Sequence, residues 1–176
     1  IWISIFTSIS AFCNAGIDII AENSLCDYAT NPLINIVTCL LIILSGIGYI
    51  VWWDITGLAG KKRRGFRNLS LHSKITLTTT LILILGGGIL IFLFEYNNPL
   101  TIGNLAVFDK IQVSLFQSVT TRTAGFATVP QENLTGASSF VCLLLMFIGG
   151  SPVGTAGGIK TVTIVILAAS AFSLIR

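Results

Sequence analysis

The chain has 176 residues, of which 53% are hydrophobic and only 10% charged, with 10 Lys and Arg against 7 Asp and Glu. With a mean hydropathy of +0.90 it lies outside the range of ordinary soluble domains and belongs in a bilayer. Cys13, Cys26, Cys39 and Cys142 form no CxxC pair and have no histidine at metal-ligand spacing, so neither a zinc site nor a disulfide framework is expected.

Residue 1 is Ile, and no basic segment precedes an apolar run and cleavage site. The chain is therefore expected to be an internal piece of a longer protein. Its first sixteen residues end in Ser10-Ala-Phe-Cys-Asn-Ala-Gly16, and a first apolar stretch follows over residues 33 to 53, long enough to span. The polar segment 59–74 holds Lys61, Lys62, Arg63, Arg64, Arg67 and Lys74. Basic residues favour cytoplasmic loops, so this loop is expected to face inward in a multi-pass cell-membrane protein. The same cluster suits a cytosolic partner or anionic lipid. No nucleic-acid partner is expected.

A second apolar stretch, residues 75 to 94, has the length of a hydrocarbon core of about 30 Å. Residues 107 to 121, by contrast, are too short and too polar to cross as one helix. Between apolar spans, such a segment is best explained as re-entrant: a short helix enters, stops near mid-depth and returns as extended chain through Thr123-Ala-Gly-Phe126. Its C-terminal dipole end favours a cation. The carbonyls of the turn can replace a hydration shell, and no carboxylate lies between Phe116 and Phe126.

This unit occurs twice, about 110 residues apart. Phe6 matches Phe116, Ser8 matches Ser118, Ile9 matches Val119, Ser10 matches Thr120, and Ala15-Gly16 matches Ala124-Gly125 once one residue is skipped. Two turns that differ within one chain argue against a tetrameric channel of identical subunits.

From Ser138 to Ile175 the apolar pattern continues for about 57 Å if helical, nearly twice a bilayer. Gly149-Gly-Ser-Pro-Val-Gly-Thr-Ala-Gly-Gly158 interrupts it, where helix propensity is at its worst. An unwound stretch at that depth implies a cavity, and its flexibility suits a gate. A phosphate-binding loop fails because Ile159 separates Gly158 from Lys160-Thr161, and a nucleophile elbow fails because Val153 stands where Gly is needed. No enzyme is expected. A rival from another class is a non-conducting structural subunit in which Gly150, Gly154 and Gly158 pack helices through small-xxx-small spacing. Charges within membrane regions are functional candidates. Arg122 is expected to brace carbonyls or pair with an acid, and Lys160 to set an electrostatic barrier or tie the broken helix to a neighbour.

Phe116-Gln-Ser-Val-Thr-Thr-Arg-Thr-Ala-Gly-Phe126, Met146 to Thr161, Ser10 to Gly16 and Leu69 to Lys74 together resemble the Ktr/Trk potassium transporters, with the Thr-Arg-Thr-Ala-Gly-Phe version closer to the Ktr type. The resemblance implies an all-α membrane protein of four helix, pore-loop, helix units around one potassium pathway. This chain would hold the end of unit 2 over residues 1–58, the loop 59–74, and all of unit 3 over residues 75–176. Cys13, Asn14, Ala15 and Gly16 would be one filter segment, and Arg122, Thr123, Ala124 and Gly125 the next. Gly149, Gly150, Ser151, Pro152, Gly154, Thr155, Ala156, Gly157, Gly158 and Lys160 would form the gate. Cys13 stands where a more polar residue is expected. The resemblance further implies a homodimer, and a cytosolic ring of nucleotide-binding subunits contacting Lys61, Lys62, Arg63, Arg64 and Arg67. Potassium would be the transported ion and the only metal, sodium a coupling or activating ion, with no cofactor in this chain.

Overall fold

A computed structural model describes residues 1–20, 24–59 and 66–175. Among the described residues there are seven α-helices: α1 Trp2–Phe12, α2 Pro32–Gly46, α3 Tyr49–Ala59, α4 Leu71–Glu95, α5 Val107–Thr120, α6 Gly136–Phe147 and α7 Thr161–Ile175. Among the described residues the only β-type pairing is a parallel bridge between Ile148 and Ile159.

The helix starts follow from their caps. The Asn31 side chain accepts from the amides of Leu33 and Ile34, and Pro32 at the first helical position has no amide to leave unpaired. Ser70 accepts from the Ser73 amide and Thr135 from the Ser138 amide. The Ser70 cap starts α4 at Leu71, four residues before the apolar stretch, so Leu71 to Lys74 extend the helix rather than the loop.

α4 is inverted relative to a soluble helix. Its inward residues are Ser73, Thr76, Thr80, Gly87, Gly88, Ile91 and Glu95, which recur along one face of the helix. Leu81, Ile82, Leu85, Ile89 and Leu93 are exposed on the other face. α2 repeats the pattern, burying Asn35, Thr38, Ile42 and Ser45 while exposing Leu33, Ile36, Val37 and Leu40. Small and polar residues inside with large aliphatic residues outside mark helices solvated by lipid.

Glycine sets how closely the helices approach. A Cβ on Gly87 would lie 2.5 Å from Ser118 Oγ and 2.7 Å from Leu145 Cδ1. Ser118 uses that space to donate to the Ile84 carbonyl, 2.9 Å away, which locks α5 to α4. Around α5, a core of Ala11, Leu25, Ile42, Phe116, Val119, Ala124 and Phe126 joins α1, α2 and the segment after α5. At the far end of α4 the buried Glu95 carboxylate gathers Thr135 N (2.8 Å), Thr135 Oγ1 (2.7 Å), Asn98 Nδ2 (2.7 Å) and Thr101 Oγ1 (2.6 Å), tying α4 to the start of α6. Nearby, the Lys110 ammonium donates to the Tyr96 carbonyl at 2.8 Å and lies 4.2 Å from the centre of its ring.

Two sequence expectations change here. The stretch 33 to 53 is not one straight span: α2 and α3 meet at 91°. Gly48, at φ +86°, occupies the left-handed region, and a side chain there would lie 2.5 Å from the Pro152 carbonyl. The small-xxx-small reading of Gly150, Gly154 and Gly158 also fails, because α6 ends at Phe147 and α7 starts at Thr161, leaving all three outside any helix. The break expected at Gly149 to Gly158 is present. α4, with 25 residues, is the one described helix long and apolar enough to cross a bilayer unbroken.

Candidate functional site

The two repeated segments form the same local structure. α1 ends at Phe12 and α5 at Thr120, each capped by a right-handed residue, Cys13 or Thr121. Left-handed residues then follow at the same spacing in both turns: Asn14 (φ 51°) and Gly16 (φ 65°), and Thr123 (φ 74°) and Gly125 (φ 93°). Ala15 and Ala124, between them, keep negative φ. Left-handed conformations at non-glycine residues are costly and persist where the surroundings fix them.

What fixes them is legible in the hydrogen bonds. Ser10 Oγ donates to the Ile17 carbonyl at 2.5 Å, and Thr120 Oγ1 donates to the Phe126 carbonyl at 2.6 Å. Each hydroxyl, at the end of its short helix, thus pins the residue after the turn glycine. Ser10 and Thr120 are positions the repeat had matched, so their pairing was a signal available in the sequence. Beyond the turns, the Leu25 amide donates to the Ala127 carbonyl at 2.9 Å and joins the two exit segments.

The carbonyls inside the turns are treated differently. Among the described residues, no donor reaches the carbonyls of Asn14, Ala15, Gly16, Thr123, Ala124 or Gly125, while those of Ile17, Phe126 and Ala127 are all taken. Backbone carbonyls withheld from the protein must be satisfied by something else. The two turns also touch. A Cβ on Gly16 would overlap the Ala124 carbonyl oxygen and lie 2.7 Å from Gly125 Cα, and one on Gly125 would lie 3.0 Å from Gly16 Cα. Only glycine fits at either position.

The Gly-rich segment lies directly against these turns. It closes on itself through Gly149 N to Ile159 O (3.1 Å), Gly150 N to Gly157 O (3.2 Å) and Ile159 N to Phe147 O (3.0 Å). It then docks on the α2–α3 bend, where Ser151 N donates to Gly46 O at 3.0 Å. Three side chains from the turns reach it. Asn14 Nδ2 donates to Thr155 Oγ1 at 2.7 Å, Thr123 Oγ1 accepts from Gly157 N at 2.8 Å, and the buried Arg122 donates through Nη2 to Gly149 O at 3.0 Å. Arg122 thus binds a carbonyl, one of its two expected partners. Lys160 donates to the Ala156 carbonyl at 2.7 Å, within its own loop rather than to a neighbouring helix.

Cys13 is exposed at the end of α1 and ahead of the left-handed pair. Arg67 lies in a single helical turn, Phe66–Asn68, before α4. Lys61, Lys62, Arg63 and Arg64 lie outside the described residues. The sequence reading missed Gly46 and Gly48 because two glycines in an apolar run do not by themselves mark a bend. It missed Ser45, which takes a hydrogen bond from Asn14 at 3.3 Å, because only the folded chain brings residues 14 and 45 together.

Lipid-facing helices, two turns of unpaired carbonyls at the ends of short helices and an unwound segment packed against them are features of a membrane protein with irregular backbone in its interior. The chain matches the TrkH family of cation transport proteins over residues 1–175, and it belongs to that family. It is 40% identical over 173 residues to the Ktr system potassium uptake protein B of Bacillus subtilis, covering 98% of this chain and 38% of that protein. It is also 40% identical over 167 residues to the potassium/sodium uptake protein NtpJ of Enterococcus hirae, covering 95% and 36%. The potassium transporter TrkH of Vibrio parahaemolyticus shares the fold, with a TM-score of 0.80 at 21% identity over 99% of this chain and 36% of that one. The chain therefore spans little more than a third of these relatives. Membership is in a transport family rather than an enzyme family, and it bears out the all-α repeated pore-loop architecture expected from the motifs.

Proposed function

We propose that the parent subunit carries potassium across the cell membrane through a filter to which this chain contributes two of four segments. The observation that carries the proposal is the set of six turn carbonyls that the described residues leave without donors. In each turn a residue of negative φ separates two left-handed ones, and backbone oxygens left free in such a turn suit a cation that has shed its water. Cys13 and Arg122 come first in these segments, Cys13 as the cap of its short helix and Arg122 directly after the cap of the other. Arg122 braces the loop and keeps its charge on Gly149 rather than on the ion.

The segment Gly149 to Gly158, with Lys160, acts as the gate. Its hydrogen bonds to Asn14, Thr123 and Arg122 hold it against the filter, and its backbone has no helical ladder to lose when it moves. In this reading the loop 59–74 is cytoplasmic. Two parent subunits pair, and Lys61, Lys62, Arg63, Arg64 and Arg67 meet a cytosolic ring of nucleotide-binding subunits. Sodium acts as a coupling or activating ion, a role in keeping with a relative named for potassium and sodium uptake.

The test is rubidium uptake by a host lacking its own potassium systems and expressing the full-length parent. Saturable uptake that potassium competes away, with and without added sodium, is the expected result. Surface-expressed parent that yields no uptake above the empty host would refute the proposal.

A further inference from the structure

Behind the two filter turns lies a cavity of about 20 Å³, lined among others by Asn14, Gly46, Thr80, Val119, Arg122 and Gly150. It is formed by the two turns, the end of α2, the middle of α4 and the gate loop, all from this chain. Three buried polar atoms of its lining residues have no hydrogen-bond partner among the described residues: Asn14 Oδ1, Thr80 Oγ1 and Arg122 Nε. Thr80 and Arg122 are 7% and 8% exposed. Buried polar atoms are seldom left in this condition, and three around one cavity call for a common partner.

The chemistry of the three atoms identifies it. Arg122 Nε can only donate, because a guanidinium has no acceptor. The orientation of Asn14 is fixed by its neighbours. Ser45 Oγ gives its proton to the Ile42 carbonyl at 3.1 Å, so it can only accept from Asn14, which places Nδ2 there and leaves Oδ1 as the acceptor. Thr80 Oγ1 can do either. A cation could satisfy Asn14 and Thr80 but would meet the Arg122 N–H and its charge; an anion could satisfy Arg122 but would face Asn14 Oδ1. Only a small neutral molecule that both accepts and donates satisfies all three, and the volume admits one water.

We propose that this cavity is a site for a single ordered water, which accepts from Arg122 Nε and bridges it to Thr80 Oγ1 and Asn14 Oδ1. Three hydrogen bonds are the usual complement of a buried water. The water braces the two filter turns against each other and against α4. Because Arg122 also holds Gly149 through Nη2, it links filter and gate loop as well. The site itself stands on the cavity; its effect on ion choice rests on the filter reading above.

Two measurements on the full-length parent test this. A structure at a resolution that resolves water is expected to show one peak within hydrogen-bond reach of Arg122 Nε, Thr80 Oγ1 and Asn14 Oδ1. An empty cavity, or one filled by a side chain or an ion, overturns the site. Competitive rubidium and sodium uptake is then compared for wild type, Thr80→Val and Thr80→Ser. Valine keeps the shape and removes the hydroxyl, so the preference for rubidium is expected to fall about three- to tenfold, the scale of one lost hydrogen bond, while serine holds it within about twofold. An unchanged preference in Thr80→Val overturns the brace. Gly125→Ser, measured alongside, separates the causes. If it abolishes the preference and Thr80→Val does not, only the water brace falls; if neither changes it, the filter reading falls too.

Discussion

Adding one methyl group at Gly149 is the sharpest perturbation of the loop proposed as the gate. Gly149 is buried, and a Cβ there would overlap the Gly157 carbonyl oxygen and lie 2.8 Å from Gly158 Cα. Both obstacles are backbone, so no side-chain rotation relieves them. The same two segments are held by Gly149 N to Ile159 O and Gly150 N to Gly157 O, so relief requires the loop to open at its neck. Overpacking of this kind costs about 1–3 kcal/mol. If the loop occludes the path, Gly149→Ala shifts the balance toward the open loop by about fivefold to over a hundredfold. The assay is basal rubidium uptake by the full-length parent without activating stimulus, normalised to the amount of protein in the membrane. Gly86→Ala is the control, since a Cβ there meets nothing within 4 Å and the helix gains propensity. Raised basal uptake in Gly149→Ala alone is expected; normal abundance with unchanged uptake would refute the argument that this loop controls flux.

Other positions give separate expectations. Gly87→Val is expected to weaken α4–α5 packing by about 1–3 kcal/mol, because Ser118 Oγ and Leu145 already fill the space; the thermal midpoint in detergent should fall, and an unchanged midpoint would contradict it. Glu95→Gln places an amide where the carboxylate now accepts four hydrogen bonds, and should lower the same midpoint through a loss of about 2 kcal/mol or more; Glu95→Asp is expected to recover little, being too short to reach both Thr101 and Thr135. Cys26 tests sidedness. Its thiol is pushed above the ordinary range by burial and then by the carboxylates of Asp27 and Asp18. In a parent subunit with Cys26 as its sole cysteine, an impermeant thiol reagent should label from outside, slowly at neutral pH and faster as pH rises toward the raised pKa. Labelling from the cytoplasmic side alone would reverse the orientation.

The extent to which the sequence announced this structure varies from element to element, for physical reasons. The short α5 was legible because fourteen residues of mixed polarity cannot span a bilayer, and its partner α1 because the repeat placed Ser10 over Thr120. The break in the last span was legible because five glycines and a proline in ten positions leave no helix. The 91° bend between α2 and α3 was not, since the contacts made at it, Ser151 N to Gly46 O and Tyr49 N to Val153 O, come from a segment a hundred residues away. Likewise, nothing local marks Asn14 and Thr123 as partners of Thr155 and Gly157. Their selection depends on tertiary contact, where one-dimensional pattern carries no signal. Arg122 stands between: its charge beside the turn marked it as a brace, and the identity of the braced carbonyl, Gly149, came only with the fold.

The most direct test of the central claim is the location of the ion itself. Crystals of the full-length, uptake-competent parent grown in rubidium in place of potassium would be measured at the rubidium absorption edge. Anomalous density in direct contact with the carbonyls of Asn14 to Gly16 and Thr123 to Gly125 is the expected result. Rubidium bound along the pathway but away from both turns would contradict the assignment of those carbonyls as the filter.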